Sequence, residues 1–160
     1  MRIMIVLLIA AALTVPTLAA GWGHYTNERF GVEVDIPPDF VPGAPPANGD
    51  GLRFTTPTAE LAVFGSLILE GGFEREVGQR LRWASDDGWT ITYQATTPSW
   101  ASWSGKKGSR ILYVRAISMC GGSTIGAFEF EYSEADVTAF DPVIERLGRS
   151  LGNSGNGWQC

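Results

Sequence analysis

The sequence predicts an α+β fold, an α/β/α sandwich with a central antiparallel sheet flanked by helices. Three observations predict it. Runs of strand-type residues follow one another between Leu52 and Tyr132, and their connections are short enough to make neighbours antiparallel. A helical spacing interrupts them once, at Phe73, Val77, Leu81 and Ala84, and a second closes the chain at Val137, Phe140, Ile144, Leu147 and Leu151. A helix with a single apolar face needs a surface to bury it, and a sheet supplies that surface.

The elements follow in order. Residues 1–20 begin Met1-Arg2, continue as IMIVLLIAAALTV and end in the small residues PTLAA, the pattern of a cleaved export signal. Thr14, Pro16 and Thr17 interrupt the run, and it falls short of the roughly 20 apolar residues of a spanning helix, so no stable membrane span is expected after cleavage. Residues 21–151 then form one domain, and 152–160 a tail. Val32, Val34 and Ile36 alternate with Glu33 and Asp35, a strand with one wet face. Pro37 and Pro38 stop it, and five prolines up to Ala47 dictate an extended surface loop. Leu52–Thr55 and Leu61–Leu69 are strands around a turn at Pro57–Glu60.

Gly71 and Gly72 precede the first helix, and Asp86-Asp87-Gly88 ends it, although two acids there oppose the helix dipole. WTITYQA, SWASWSG, SRILYVRAIS and IGAFEFEY read as four strands, with GKKG, Gly105–Gly108, as a hairpin turn. The last helix either runs on from Ser133 or restarts with Asp141 as cap and Pro142 as first helical residue.

Composition narrows the function. The formal net charge is −5, and loss of Arg2 with the signal makes the balance more acidic still, so nucleic acid and anionic membrane are disfavoured as partners. Cys120 and Cys160 are the only cysteines; in an exported chain they are expected to pair. The closed loop, about 41 residues long, is worth roughly 4 kcal/mol in the chain-entropy model. The bond would secure a tail, NSGNGWQC, whose composition gives it no other evident hold.

Motifs for catalysis are missing from the residue pattern. His24 is the only histidine, which removes histidine pairs and disfavours a Ser/His/Asp triad. Only if processing left Trp22 as the first residue would Trp22-Gly23-His24 suit copper. NGDG, Asn48–Gly51, fails as an EF-hand loop because positions one and twelve would be Pro46 and Pro57; it reads as a tight turn. GGSTIG, Gly121–Gly126, lacks the lysine of a phosphate loop, and adjacent Asp86 and Asp87 diverge instead of flanking a bond. No catalytic residue, cofactor or metal ligand is assigned.

FGVEVDIPPDF, NGDGLRFTTPTAELAVFG, GWTITYQATTPSWASWSGKKGSRILYVRA and FDPVIERLGRSL together resemble the PsbP-like group of small exported bacterial proteins, named for an extrinsic protein of photosystem II. The resemblance covers about Tyr25 to Leu151. It implies a central antiparallel sheet between helices and a binding or assembly role instead of an enzymatic one. The photosystem subunit and a eukaryotic Ran-binding protein share that fold, but no docking segment for either partner is found here.

Trp83, Trp89, Trp100 and Trp103 crowd one stretch with Tyr93. In a strand Trp100 and Trp103 point to opposite faces, so both are core only if both faces are covered. An exposed member would serve as a contact for protein or sugar. Trp100, Trp103, Lys106 and Lys107 are therefore the binding candidates. The expected function is a non-enzymatic binding or assembly factor, periplasmic or secreted, with an envelope protein as partner; the alternative is a small-molecule or glycan binder with an aromatic-lined pocket.

Overall fold

The computed structural model describes residues 21–158 and 160, so residues 1–20, read as an export signal, lie outside the described residues. The first described element is a short strand, β1 (Gly23–Thr26), followed by β2 (Val32–Ile36), β3 (Val41–Pro42), β4 (Gly51–Thr55) and β5 (Ala59–Leu67). Helix α1 (Gly72–Asp86) leads to four long strands, β6 (Thr90–Thr96), β7 (Trp100–Lys107), β8 (Arg110–Met119) and β9 (Thr124–Ser133). Helix α2 (Val137–Ser150) and the two-residue strand β10 (Gly152–Asn153) complete the order.

The large sheet runs β3-β4-β5-β9-β8-β7-β6, antiparallel throughout. After β5 the chain crosses one face as α1, starts again at the far edge with β6, and returns strand by strand until β9 pairs with β5. The α+β class and the helix-flanked central sheet are as the sequence predicts. The cover of the second face is richer than a helix alone. There α2 shares the work with a three-stranded sheet, β1-β2-β10, in which β2 is central.

The seating of that small sheet depends on two glycines. Gly65 and Gly126 are cross-strand partners. A Cβ on Gly65 would lie 2.3 Å from Phe30, and one on Gly126 would lie 2.9 Å from Val32 and 2.8 Å from Met119. Their bare backbones let Phe30 and Val32 approach the sheet directly. Phe30, Val32, Val34, Leu61, Val63, Phe128, Phe130 and Leu147 then form one buried cluster. Phe130 is its aromatic hub, 5.0 Å from the Phe140 ring on α2, 5.2 Å from Tyr132 and 5.8 Å from Phe40.

The opposite face is built differently. Ala101, Ala116 and Ala127 line up as direct neighbours across β7, β8 and β9, and all three are fully buried. A rank of methyl groups lets α1 lie close, with Phe73 and Val77 pressed into the second buried cluster.

One local reading is corrected, and one left open is decided. The hairpin turn falls at Gly108-Ser109, two residues beyond the centre of GKKG, because β7 continues to Lys107 and pairs with Arg110. Gly108 has φ of 60°, the residue a two-residue turn of this kind demands. The last helix is continuous: a 3-10 turn, Glu134–Asp136, runs into α2, and Pro142 lies inside it. Pro142 forfeits one backbone bond there, and the apolar stripe of Phe140, Ile144 and Leu147 holds the helix to the sheet past that point.

The tail has more anchors than the disulfide. The Cys120–Cys160 bond is present, with Cα atoms 5.0 Å apart. In addition β10 pairs with β2, Ser154 N–H donates to the Gly31 carbonyl, and Gly157 packs so tightly on Phe30 and Gly31 that its Cβ would lie 2.3 Å from the Phe30 carbonyl carbon.

Candidate functional site

Strand parity decides which side chains share a surface. Odd-numbered residues of β7 face α1, as do the even-numbered residues of β8 and odd-numbered residues of β9, so Trp103, Val114 and Glu129 stand in one rank with Ala62 and Arg53. Glu129 thus projects from the middle strand of the sheet onto its α1 face, between a small alanine and a valine.

The helix covers only part of that face. The β4–β5 side is walled by the proline-rich loop instead, and Glu129 lies in the gap. Three hollows share it. One, of about 360 Å³, lies between that loop and β4–β5 and touches Pro46, Asp50, Arg53, Ala62 and Phe64. A second, about 220 Å³, lies under the end of α1 among Arg80, Trp83, Trp89, Trp103 and Leu112. The third, about 180 Å³, adds Glu60 and Glu131 and shares Asp87 with the second.

Charges around these hollows are paired, with one exception. Arg53 meets Glu60; Arg80 meets Glu76 at 2.9 Å and Ser66 at 2.7 Å; Arg110 meets Glu131 at 2.9 Å; Lys107 meets Asp87 at 3.2 Å. Glu129 makes no hydrogen bond and no ion pair among the described residues. Burial pushes its carboxyl above the usual carboxylate range, and the fields of Arg80 and Arg53 offset this only in part. Trp103 adds a second unanswered group: its indole N–H is buried and has no acceptor among the described residues. A half-buried carboxylate and a buried indole N–H without an acceptor among the described residues line the same hollow.

The sequence candidates divide between the faces. Trp103 lies in the floor of the hollow and Lys107 at its rim, with Nζ 2.5 Å from the Asp87 carbonyl and 5.8 Å from the centre of the Trp89 ring. That lysine also answers Asp87, one of the two acids at the end of α1. Trp100 and Lys106 point the other way. Trp100 pairs with Ile117 and carries the Arg115 guanidinium 4.4 Å from its ring, and Lys106 bonds Glu134 at 2.6 Å. Trp83 is half exposed on α1, above the hollow.

Glu129 escapes a reading by alternation, because in IGAFEFEY its polar position implies a wet face. The signal available was the alanine set, Ala101, Ala116 and Ala127, on that same face: small residues mark a covered surface, and an acid among them is an acid under cover.

Two other polar clusters are structural. Asp50 of NGDG accepts from Arg29 and, at 2.7 Å, from Asn48, while Asn27 donates to the Gly49 carbonyl at 2.8 Å. Arg29 in turn lies against the Phe30 and Trp158 rings, so the loop is a turn buttressed by the tail. His24 sits between Glu33 and Asp35 at 3.4 Å and 3.2 Å. Burial raises Asp35, but bonds from His24 and Arg146 outweigh it and hold its carboxyl below the usual range.

Comparison with known proteins gives a fold and no family. No family model matches the chain, and neither does any curated protein. Among solved structures it is similar to cyanobacterial PsbP (CyanoP) from Synechocystis sp. PCC 6803, with TM-score 0.65 and 12% identity over 92% of this chain and 98% of that one. It is also similar to the Ran-binding protein Mog1p of Saccharomyces cerevisiae, with TM-score 0.61 and 6% identity over 84% and 96% of the two chains. The fold is PsbP-like.

Proposed function

We propose that the chain is an exported, non-enzymatic binding or assembly factor of the bacterial envelope that engages its partner through the groove on the α1 face. The observation that carries this is Glu129, a half-buried carboxylate without a hydrogen bond or ion pair among the described residues while its charged neighbours are paired. Stability alone gives no reason to keep such a group, since withdrawing an unpaired carboxylate part-way from water costs free energy. The export-signal pattern of residues 1–20 and the Cys120–Cys160 bond support an oxidising compartment. One of the proteins sharing this fold is itself named as a binding protein, which supports the class of role and nothing finer.

The test is cross-linking capture from native envelope, comparing the protein with Ala62→Leu, which fills the groove floor beside Glu129. A reproducible partner that is lost with Ala62→Leu supports the reading. Capture indifferent to that substitution places the interface elsewhere. Fractionation with N-terminal sequencing tests export, and a cytoplasmic protein with residues 1–20 intact would refute it.

A second reading has its own observation: Trp83, Trp89 and Trp103 line one hollow. Such a wall suits a small molecule or glycan. In that case capture finds no protein, and tryptophan fluorescence responds to metabolite or glycan pools.

A further inference from the structure

We propose that the hollow at Glu129 is a seat for a primary alkylammonium group, its charge on Glu129 and its methylene stem along Trp83, Trp89 and Leu112. This rests on the groove being the binding site and names the chemistry it takes.

The charge balance comes first. Arg53, Arg80, Lys107 and Arg110 are engaged with Glu60, Glu76, Asp87 and Glu131, so Glu129 is the acid on this face left for a cation from outside. An ionised carboxylate only accepts hydrogen bonds, and under cover it is best answered by a group that brings both donors and positive charge.

The walls come second. The hollow under α1 is lined by indole and leucine surface, which covers methylene groups and attracts a cation to the ring faces, and by Arg80, whose charge is held by Glu76 and Ser66. At about 220 Å³ it has room for a slim stem ending in a compact point charge.

The third argument is an example already in place. Lys107, from the chain itself, lays its stem beside Gly88, where a Cβ would lie 3.6 Å from Cε, and puts Nζ on the Asp87 carbonyl, the Asp87 carboxylate and the Trp89 face. The rim of the groove therefore recognises one primary ammonium by carboxylate and indole. Further in, the same hollow again brings a carboxylate, Glu129, and indole surface, that of Trp83 and Trp89, to one cavity. The acidic net charge draws cations towards it.

The same chemistry has two sources, a lysine side chain of a partner polypeptide and a free aliphatic diamine. Isothermal titration of the purified protein separates them with three probes: Nα-acetyl-lysine methylamide, whose side-chain amine is free, cadaverine, and pentanediol as the uncharged match. At least one amine is expected to bind and pentanediol is not. Glu129→Gln should weaken the amine at least ten-fold, whereas Glu145→Gln, an exposed acid on α2, should leave it unchanged. Binding of acetyl-lysine methylamide alone assigns the seat to a polypeptide; binding of cadaverine alone assigns it to a free amine. No heat with either amine, equal binding of pentanediol, or equal loss in the two variants overturns the proposal. If the amines fail while Ala62→Leu still abolishes capture, the groove stands and only its cation preference falls; if both fail, the groove reading falls as well.

Discussion

The two faces of the central sheet are packed by opposite rules. Under α2 and the small sheet, Phe128, Phe130, Tyr132, Phe140 and Phe40 interlock, and glycines at 65 and 126 remove the last obstacles to close approach. Under α1, alanines hold the helix near at one end, while Glu129, an orphan indole N–H and three hollows occupy the rest. One face is filled for stability; the other gives up packing to keep polar groups in reserve. A domain of this size can spare one face in that way only if the other supplies most of its cohesion.

Substitutions that sharpen or break this contrast can be ranked by size. Phe130→Ala empties the hub of the filled face and is expected to cost about 3–5 kcal/mol in urea unfolding; a loss below about 1 kcal/mol would dissolve the distinction. Cys160→Ser acts on the same face through the tail, and a loss of about 2–4 kcal/mol is expected. The hydrogen bond of Ser154 to Gly31 and the β10 pairing should keep residues up to Asn153 protected from hydrogen exchange even so.

On the other face the sign reverses. Glu129 has its carboxyl raised by burial, so its contribution to stability is fully present while it is protonated in both states, and is lost as pH rises through the folded value. Glu129→Gln keeps the neutral form and should therefore melt a few degrees higher than the parent at pH 7 to 8. The gap should close below the ordinary value of 4.5. A lower melting point at neutral pH would mean that the carboxylate has an internal partner after all. The smallest effect belongs to Lys106→Ala, which removes a half-exposed pair with Glu134 and should change stability by less than about 0.5 kcal/mol.

The same contrast explains what could be read in advance. Alternation in Val32–Ile36 and IGAFEFEY, and the spacing of Phe73, Val77 and Leu81, are consequences of burial on one side, and burial is written in residue type. Strands β1, β3 and β10 carry no such mark. GHYT, VP and GN contain glycine, proline and polar residues, and they are extended only because β2 or β4 offers an edge. The turn was displaced for a similar reason: Lys106 and Lys107 look like turn residues, but Ile111 and Arg110 across the ladder keep them in the strand. Trp103 could be placed by parity, while its place in one hollow with Glu129 depended on knowing which strands are neighbours, a property of the whole sheet.

Strand β2 also governs the order in which the molecule is assembled. The meander β6 to β9 joins neighbours through short turns, whereas β2 meets α2 through pairs such as Arg146 with Asp35 and Ser150 with Asp35, separated by 111 and 115 positions. Contacts so far apart in sequence close slowly, so the meander is expected to form before β2 docks; pulsed hydrogen exchange during refolding that protects β2 ahead of β8 would reverse this order. For that interval the face that later gives the protein its cohesion is its stickiest surface. A chaperone that shields this face would be needed only until β2 arrives.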